Sequence, residues 1–358
     1  MSDTQSSTPT LHWEFGTAYE LFISLHVLHT PEKFGIRASW VAGIRSRIPA
    51  TERKLLEDIL PFIGIPLAWV HELPGSKDAI SALWALKQMP PAERLIHMLC
   101  IQEDCDNEWG QMLVRIRQNK AWEPKDLELF KQMAKKEGDT GINDEKIIRF
   151  LDRWAKPEEL GEGFLSALQA YHQAFFEEEE KRLTPILQAG LDRARGRAAT
   201  ISVQELLIEL SQGVQLGDFM KAKNLVIIPA YWTTPLILYA PIKDDIMLFF
   251  FGARPADMAI IPGEMVPDSL VRVMKALAEP TRLKILYYLT QEELTPSELA
   301  RRLHLRAPTV THHLSELRLS GLVHVTYKGQ EKLYRTRDES LEGMCDNLKG
   351  FLHNKHPE

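Results

Sequence analysis

The stretch that most constrains this chain is "LTPSELARRLHLRAPTVTHHLSELRLSGLV", from Leu294 to Val323. Thr295 and Glu298 stand three apart around Pro296, the spacing of a capping box. A helix is therefore expected to start there, with Leu299 and Leu303 facing inward. A turn of about four residues leads to a second amphipathic stretch. In it, Val310, Leu314 and Leu317 recur at i, i+4 and i+7, one face of a helix. The opposite face then holds Pro308, Thr309, Thr311, His312, Ser315 and Glu316. Gly321 follows, a residue able to take the left-handed conformation that ends a helix. Beyond it, "LVHVTY" and "EKLYRT" alternate as two strands joined at Lys328-Gly329-Gln330. Ahead of it, Asp268 is expected to cap a short helix, "SLVRVMKALA". Glu279–Pro280 then opens another, whose core stripe comes from Leu283, Ile285, Leu286 and Leu289. The pattern is a helix-turn-helix followed by a wing.

Charge gives this pattern a direction. The chain as a whole has net charge −6, yet Arg282 to Arg337 holds ten basic residues against five acidic ones. A basic module on an acidic body fits contact with a polyanion. Small side chains at the start of the second helix let its backbone approach base edges in a major groove. The wing's Lys328, Lys332, Arg335 and Arg337 can neutralise phosphates.

Three segments, "ALAEPTRLKILYYL", "LTPSELARRLHLRAPTVTHHLSELRLSGLV" and "VTYKGQEKLYR", resemble the ArsR-type winged helix-turn-helix regulators over roughly residues 268–340. The resemblance implies that Ala307, Pro308, Thr311 and His312 lie nearest the DNA, with Arg306 placed for phosphate. It also implies a homodimer on an inverted-repeat operator in double-stranded DNA, and a repressor released by a small-molecule effector. The cysteine motif of the metal-sensing members is replaced here by "SELARRL", and their terminal-helix pattern is missing, although the tail contains Cys345, His353 and His356. No metal and no cofactor are expected. Adjacent helical residues such as His312 and His313 point about 100° apart and do not share a metal. His26 and His29, at i and i+3, lack a third ligand.

The first two thirds are patterned mostly as helix. "AYELFISLHVL" places Ala18, Leu21, Phe22, Leu25 and Leu28 on one face. Asn143 is placed to cap a helix whose apolar row is Ile147, Phe150, Leu151 and Trp154. Ser202 and Glu205 form a second capping box. The long pattern after Gly163 is expected to kink or break at Thr184–Pro185. Between residues 224 and 252 the composition turns β-branched and aromatic, and two or three short antiparallel strands are expected. Tyr231 and Trp232 there are candidate walls of an effector pocket. "AYELFISLHVLHTPEKFG", "WVAGIRSRIP" and "LVIIPAYWTTPLI" resemble, more loosely, the large helical N-terminal domain of some ArsR-type regulators.

The expected fold is mainly α: a helical N-terminal domain with a small antiparallel sheet, plus a C-terminal winged helix-turn-helix. Residues 1–10 read as a frayed tail rather than a signal peptide, 11–265 as a sensor or assembly domain, 266–350 as the DNA-binding domain and 351–358 as a tail. Cys100, Cys105 and Cys345 make no disulfide framework, and no apolar run approaches the roughly 18 residues of a membrane helix. A cytoplasmic regulator is expected, not an enzyme, since no constellation of nucleophile, base and orienting group is present. The alternatives are an enzyme fused to a regulatory headpiece, and an interaction module whose winged helix no longer binds DNA.

Overall fold

The computed structural model describes residues 8–353, apart from 35, 100–106, 137–142, 212–221, 235, 243–244, 256, 262–263 and 329–330. Cys100, Cys105, Gly329, Gln330 and His356 lie outside the described residues. The chain divides into two compact units. One comprises residues 15–185 with 242–244; the other comprises residues up to 14, 186–241 and those from 245 onward.

The helical unit is organised around α1 (Thr17–His29). The expected apolar face is buried, but so is almost every other side of the helix, from Thr17 through Leu25 and again at Val27 and Leu28. A helix enclosed in this way must find partners for its polar groups. Ser24 Oγ and the Tyr171 hydroxyl lie 2.7 Å apart in a shared hydrogen bond. Glu180 Oε1 accepts from the Thr17 hydroxyl and, at 3.0 Å, from the first amide of α2 (Ala79–Gln88). One carboxylate thus serves the positive ends of two helices. In α3 (Asp144–Trp154), Asn143 caps through the Lys146 amide at 3.0 Å, and Ile147, Phe150, Leu151 and Trp154 are buried as the spacing indicates. Next, α4 (Pro157–Tyr171) runs through a π-turn at His172–Phe176 into α5 (Glu177–Ala198). The break expected at Thr184–Pro185 does not occur: α5 continues through Pro185. Lys181 and Pro185 are both exposed, so the carbonyl deprived of its i+4 amide is on the water side.

The second unit contains a four-stranded sheet in the order β1-β2-β4-β3. Its strands are β1 (Thr10–Trp13), β2 (Asn224–Ala230), β3 (Leu238–Ile242) and β4 (Ile246–Gly252). The antiparallel expectation is overturned at the centre of this sheet. β1 pairs with β2 in parallel, Thr10 opposite Asn224, and β2 pairs with β4 in parallel, Asn224 opposite Ile246 through Ala230 opposite Gly252. The physical reason is visible in the burial: β2 is buried from Leu225 to Ala230 and β4 from Leu248 to Phe251, with no alternation. Strands covered on both faces are continuous apolar runs, the habit of parallel sheets. Thr10, assigned to the tail by sequence, opens the edge strand β1. In α5, Gly190 permits a close approach to the end of β4, since a Cβ there would meet that of Ala253 at 2.7 Å. The capping box at Ser202 and Glu205 starts α6 (Val203–Leu210).

The same unit holds the winged helix. Its elements are α7 (Asp268–Leu277), α8 (Pro280–Gln291), α9 (Pro296–Leu303), α10 (Ala307–Leu319), β5 (Val323–Lys328), β6 (Glu331–Thr336) and α11 (Asp338–His353). β5 and β6 are antiparallel, with Val323 opposite Thr336 and Lys328 opposite Glu331. Leu294 extends this ribbon by bridging Tyr334. Two expectations fail locally. Pro267, not Asp268, holds the cap position of α7. Leu283 is 48% exposed, and the core row of α8 is Ile285, Leu286 and Leu289 alone.

His29, in the last turn of α1, donates from Nδ1 to the Leu25 carbonyl at 2.8 Å. Burial draws its pKa from near 6.5 down to about 4, with Arg45 adding to the effect and the Leu25 bond opposing it. The folded state therefore favours neutral imidazole. Its contribution is fully present above pH 6.5 and is lost as pH falls toward 4. Thermal unfolding of the full chain should show the midpoint dropping between pH 7 and pH 5, with a shallower drop in His29→Gln. Identical slopes would show that this histidine does not couple to folding.

Candidate nucleic-acid interface

The second helix of the helix-turn-helix, α10, is fixed from its inner side. Val310, Leu314 and Leu317 have no exposed surface and pack with Ile285, Leu289 and Leu299. Each such side chain contributes about 1.5–3 kcal/mol by leaving water. Both helices of the helix-turn-helix are closed at their C-terminal ends by hydrogen bonds of the Schellman type. At the end of α9, His304 takes φ +54°, and the amides of Leu305 and His304 bond to Ala300 and Arg301. At the end of α10, Gly321 takes φ +73°, and the amides of Leu322 and Gly321 bond to Leu317 and Arg318. The capping box at Thr295 and Glu298 is complete, and Leu299 is buried.

Charged groups beside this core set how α10 sits against its neighbours. Glu279 caps α8 by accepting from the Thr281 and Arg282 amides at 3.0 and 2.8 Å. Its second oxygen lies 3.6 Å from Nδ1 of His313 on α10. Burial works against charge on Glu279, but those amides, the Thr281 hydroxyl and nearby His313 outweigh it and hold the carboxyl below its ordinary range. Arg282 donates to the last carbonyls of α7, Ala276 and Lys275, both at 2.9 Å, and lies 3.9 Å from Glu316 on α10. Arg272 of α7 is largely buried. Desolvation, together with the like charge of Arg254, draws its pKa down to about 10 against the pull of Asp268 and Glu316, so it remains charged at neutral pH. Asp268, denied a capping role, accepts from the Ile260 amide and lies 3.7 Å from Arg254. Arg254 in turn donates to the Thr234 carbonyl at 2.9 Å.

The outer side of α10 carries the side chains singled out by sequence. Arg306 occupies the cap position without a side-chain cap bond. Arg306, Ala307, Pro308, Thr309, Thr311 and His312 are exposed, and Ser315 is half-buried. The two adjacent histidines diverge, His312 outward and His313 inward. Thr311 donates its hydroxyl proton to the Ala307 carbonyl at 3.0 Å. On the wing Lys332 and Arg335 are exposed and Arg337 is half-buried. Lys328 ends β5, and its side chain lies outside the described residues. His324 of β5 has its pKa lowered by burial and by Arg335 and Arg337, which keeps it neutral at pH 7. The structure also brings forward Arg301, exposed on α9, which carries no signal in the pattern of the second helix and the wing.

Tyr231 and Trp232 stand elsewhere, just beyond β2. Both are fully buried, in an edge-on pair with centroids 6.0 Å apart. The Tyr231 hydroxyl donates to the Ala259 carbonyl at 3.0 Å, and the Arg254 guanidinium lies 5.5 Å from its ring centroid. As placed, the two rings are core and offer no surface to a ligand. Among the described residues, no group of three or more His, Cys, Asp or Glu side chains is arranged to hold a metal, and Cys345 is a free, exposed thiol.

An inner row locked in a core, an outer row of small exposed groups and a two-stranded basic wing define a winged helix-turn-helix headpiece. The sequence model of the bacterial regulatory protein arsR family matches residues 279–325, which span α8, α9, α10 and the start of β5. The HTH-type transcriptional regulator CmtR of Mycobacterium tuberculosis is 42% identical over 85 residues, 24% of this chain and 72% of that protein. The HTH-type transcriptional repressor SmtB of the same organism is 34% identical over 91 residues, 25% of this chain and 67% of that protein. Among solved structures, the homodimeric winged helix-turn-helix DNA-binding domain of Mb0332 from Mycobacterium bovis is similar at 28% identity, covering 25% of this chain and 86% of that one with a TM-score of 0.21. The chain belongs to the arsR family of bacterial regulatory proteins.

The geometry makes Arg282 the staple between α7, α8 and α10. Hydrogen bonds from a charged donor contribute about 1.5–3 kcal/mol. Arg282→Met should lower unfolding free energy by about that amount in urea titrations. Arg282→Lys should recover less than half, because an ammonium cannot span two carbonyls as a guanidinium does. Full recovery by lysine would show that charge alone matters.

Proposed function

We propose that this protein is a sequence-specific DNA-binding transcriptional regulator acting as a repressor, with α10 in the major groove and the wing on the flanking phosphates. The observation that carries this reading is the fixed orientation of α10 within the family-matched segment. Its inner row is immobilised, and Ala307, Pro308, Thr311 and His312 are left outward at the helix start. Base edges are reached from the first turns of such a helix, while Arg306, Lys328, Lys332 and Arg335 serve the phosphates.

Two copies act together in this reading. In α11 the apolar residues Leu341, Met344, Leu348, Phe351 and Leu352 recur at three- and four-residue intervals, and none is fully buried within its own chain. Such a row is suited to pairing with its equivalent on a second copy. One short helix reads too little sequence alone, so the operator is an inverted repeat with half-site centres roughly 10 bp apart or a multiple of it. Residues 266–350 form the DNA-binding part. The region from residue 11 to 265 is a sensing and assembly part rather than an enzyme, and a small-molecule effector acts there. A ligand that engaged Tyr231 and Trp232 would first have to open their packing.

Alanine at both Thr311 and His312 should weaken binding to a selected duplex by about 1–3 kcal/mol for each base edge that then goes unread, and leave random duplex nearly unaffected. Lys332→Ala or Arg335→Ala should weaken all duplexes alike and flatten the dependence of affinity on salt. Binding titrations at three salt concentrations separate the two effects. Equal weakening on selected and random DNA for the helix variants would overturn the assignment of α10.

A further inference from the structure

The outer face at the start of α10 is marked by what it lacks. Its exposed or half-exposed residues there, beyond Arg306 at the cap, are Ala307, Pro308, Thr309, Thr311, His312 and Ser315. None is Arg, Lys, Asn or Gln, the side chains that pair bidentately with guanine or adenine in the major groove. Ala307 and Pro308 present only carbon from their side chains. Thr311 has a hydroxyl, but its proton is already donated to the Ala307 carbonyl at 3.0 Å. The side chain therefore offers DNA a methyl group and acceptor lone pairs, with no donor.

Apolar carbon can distinguish one major-groove feature, the C5-methyl group of thymine. Ala307, Pro308 and Thr311 lie within one turn and one residue of each other, so they form a contiguous apolar patch at the end of the helix that enters the groove first. We propose that this headpiece selects its operator by burying thymine C5-methyl groups against Ala307, Pro308 and the Thr311 methyl, with His312 and Ser315 supplying the polar contacts. The inference rests on the DNA-binding reading above and adds to it the chemical feature that is read. Guanine, whose edge presents only acceptors at O6 and N7, gains nothing from a threonine without a free donor. Positions facing the patch should accordingly be A·T pairs with the thymine methyl toward Thr311.

The test uses the full chain. A duplex is enriched by binding from a randomised pool and then resynthesised with deoxyuridine replacing one thymine at a time. This removes the methyl and keeps the base pairing. Burying one methyl group is worth about 0.8 kcal/mol, so at two or more positions in each half-site the uracil duplex should bind about fourfold more weakly. Thr311→Ser should bind the thymine duplex about fourfold more weakly and lose the thymine-over-uracil preference at one of those positions. Thr311→Val, which keeps a methyl and drops the hydroxyl, should stay within twofold of the parent and keep the preference. Thr311 is exposed, so neither substitution disturbs the core. Methyl readout is overturned if every uracil substitution binds equally, or if the valine variant is weakened as much as the serine variant, while the enriched duplex is still preferred over random DNA. If no duplex is enriched, DNA reading by α10 fails first, and methyl readout fails with it.

Discussion

Val310, Leu314 and Leu317 are removed from water entirely, and a helix with its inner row held in this way has no freedom to turn about its axis. Truncating Leu314 or Leu317 to alanine would cost about 2–5 kcal/mol, a large fraction of the stability of an ordinary domain. The consequence reaches the outer surface. With the inner row fixed, Ala307, Pro308, Thr311 and His312 point outward, and in the proposed reading their order along the helix is the order in which base edges are met. The outward chemistry of α10 is in this sense set by packing on the far side of the helix.

The charged groups refine what the core begins. His313 and Glu316 are polar residues on the flanks of α10, and each faces a charge on another element: Glu279 at the cap of α8 for His313, and Arg282 of α8 together with Arg272 of α7 for Glu316. Arg272 keeps its charge at neutral pH because desolvation, opposed in part by Asp268 and Glu316, lowers its pKa only to about 10. Asp268 and Arg254 continue the chain of contacts to Thr234 just beyond β2. Helix and sheet in this unit are therefore joined by charge-assisted contacts as well as by apolar packing.

Local signals were legible in the sequence, and long-range ones were not. The capping boxes at Ser202–Glu205 and Thr295–Glu298, the caps at Asn143 and Glu279, the inner row of α10 and its terminating Gly321 depend on residues within a few positions of each other, and all appear where the spacing puts them. Asp268 does not cap α7; its carboxylate is engaged instead by the Ile260 amide and Arg254, which lie beyond the one-turn spacing of a capping signal. One face of α1 was readable, but its enclosure on all sides depends on residues more than a hundred positions away, such as Tyr171 and Glu180. The strands between residues 224 and 252 were legible, but β1 and the parallel direction of the pairing were not. The unbroken runs "LVIIPA" and "MLFFF" held the information, since strands with one wet face would alternate. Arg282 and Arg272 carried no sequence signal, because their roles exist only once α7, α8 and α10 are brought together.

The most direct test of α10 and the wing as the DNA-reading elements is hydrogen–deuterium exchange on the full chain, alone and with an enriched duplex. The first amides of α10, at Ala307 and Thr309, have no side-chain cap to slow them in the free protein. On binding, slowed exchange should appear there and along β5 and β6. Protection confined to residues 15–185, with α10 and the wing exchanging as in the free protein, would contradict the assignment.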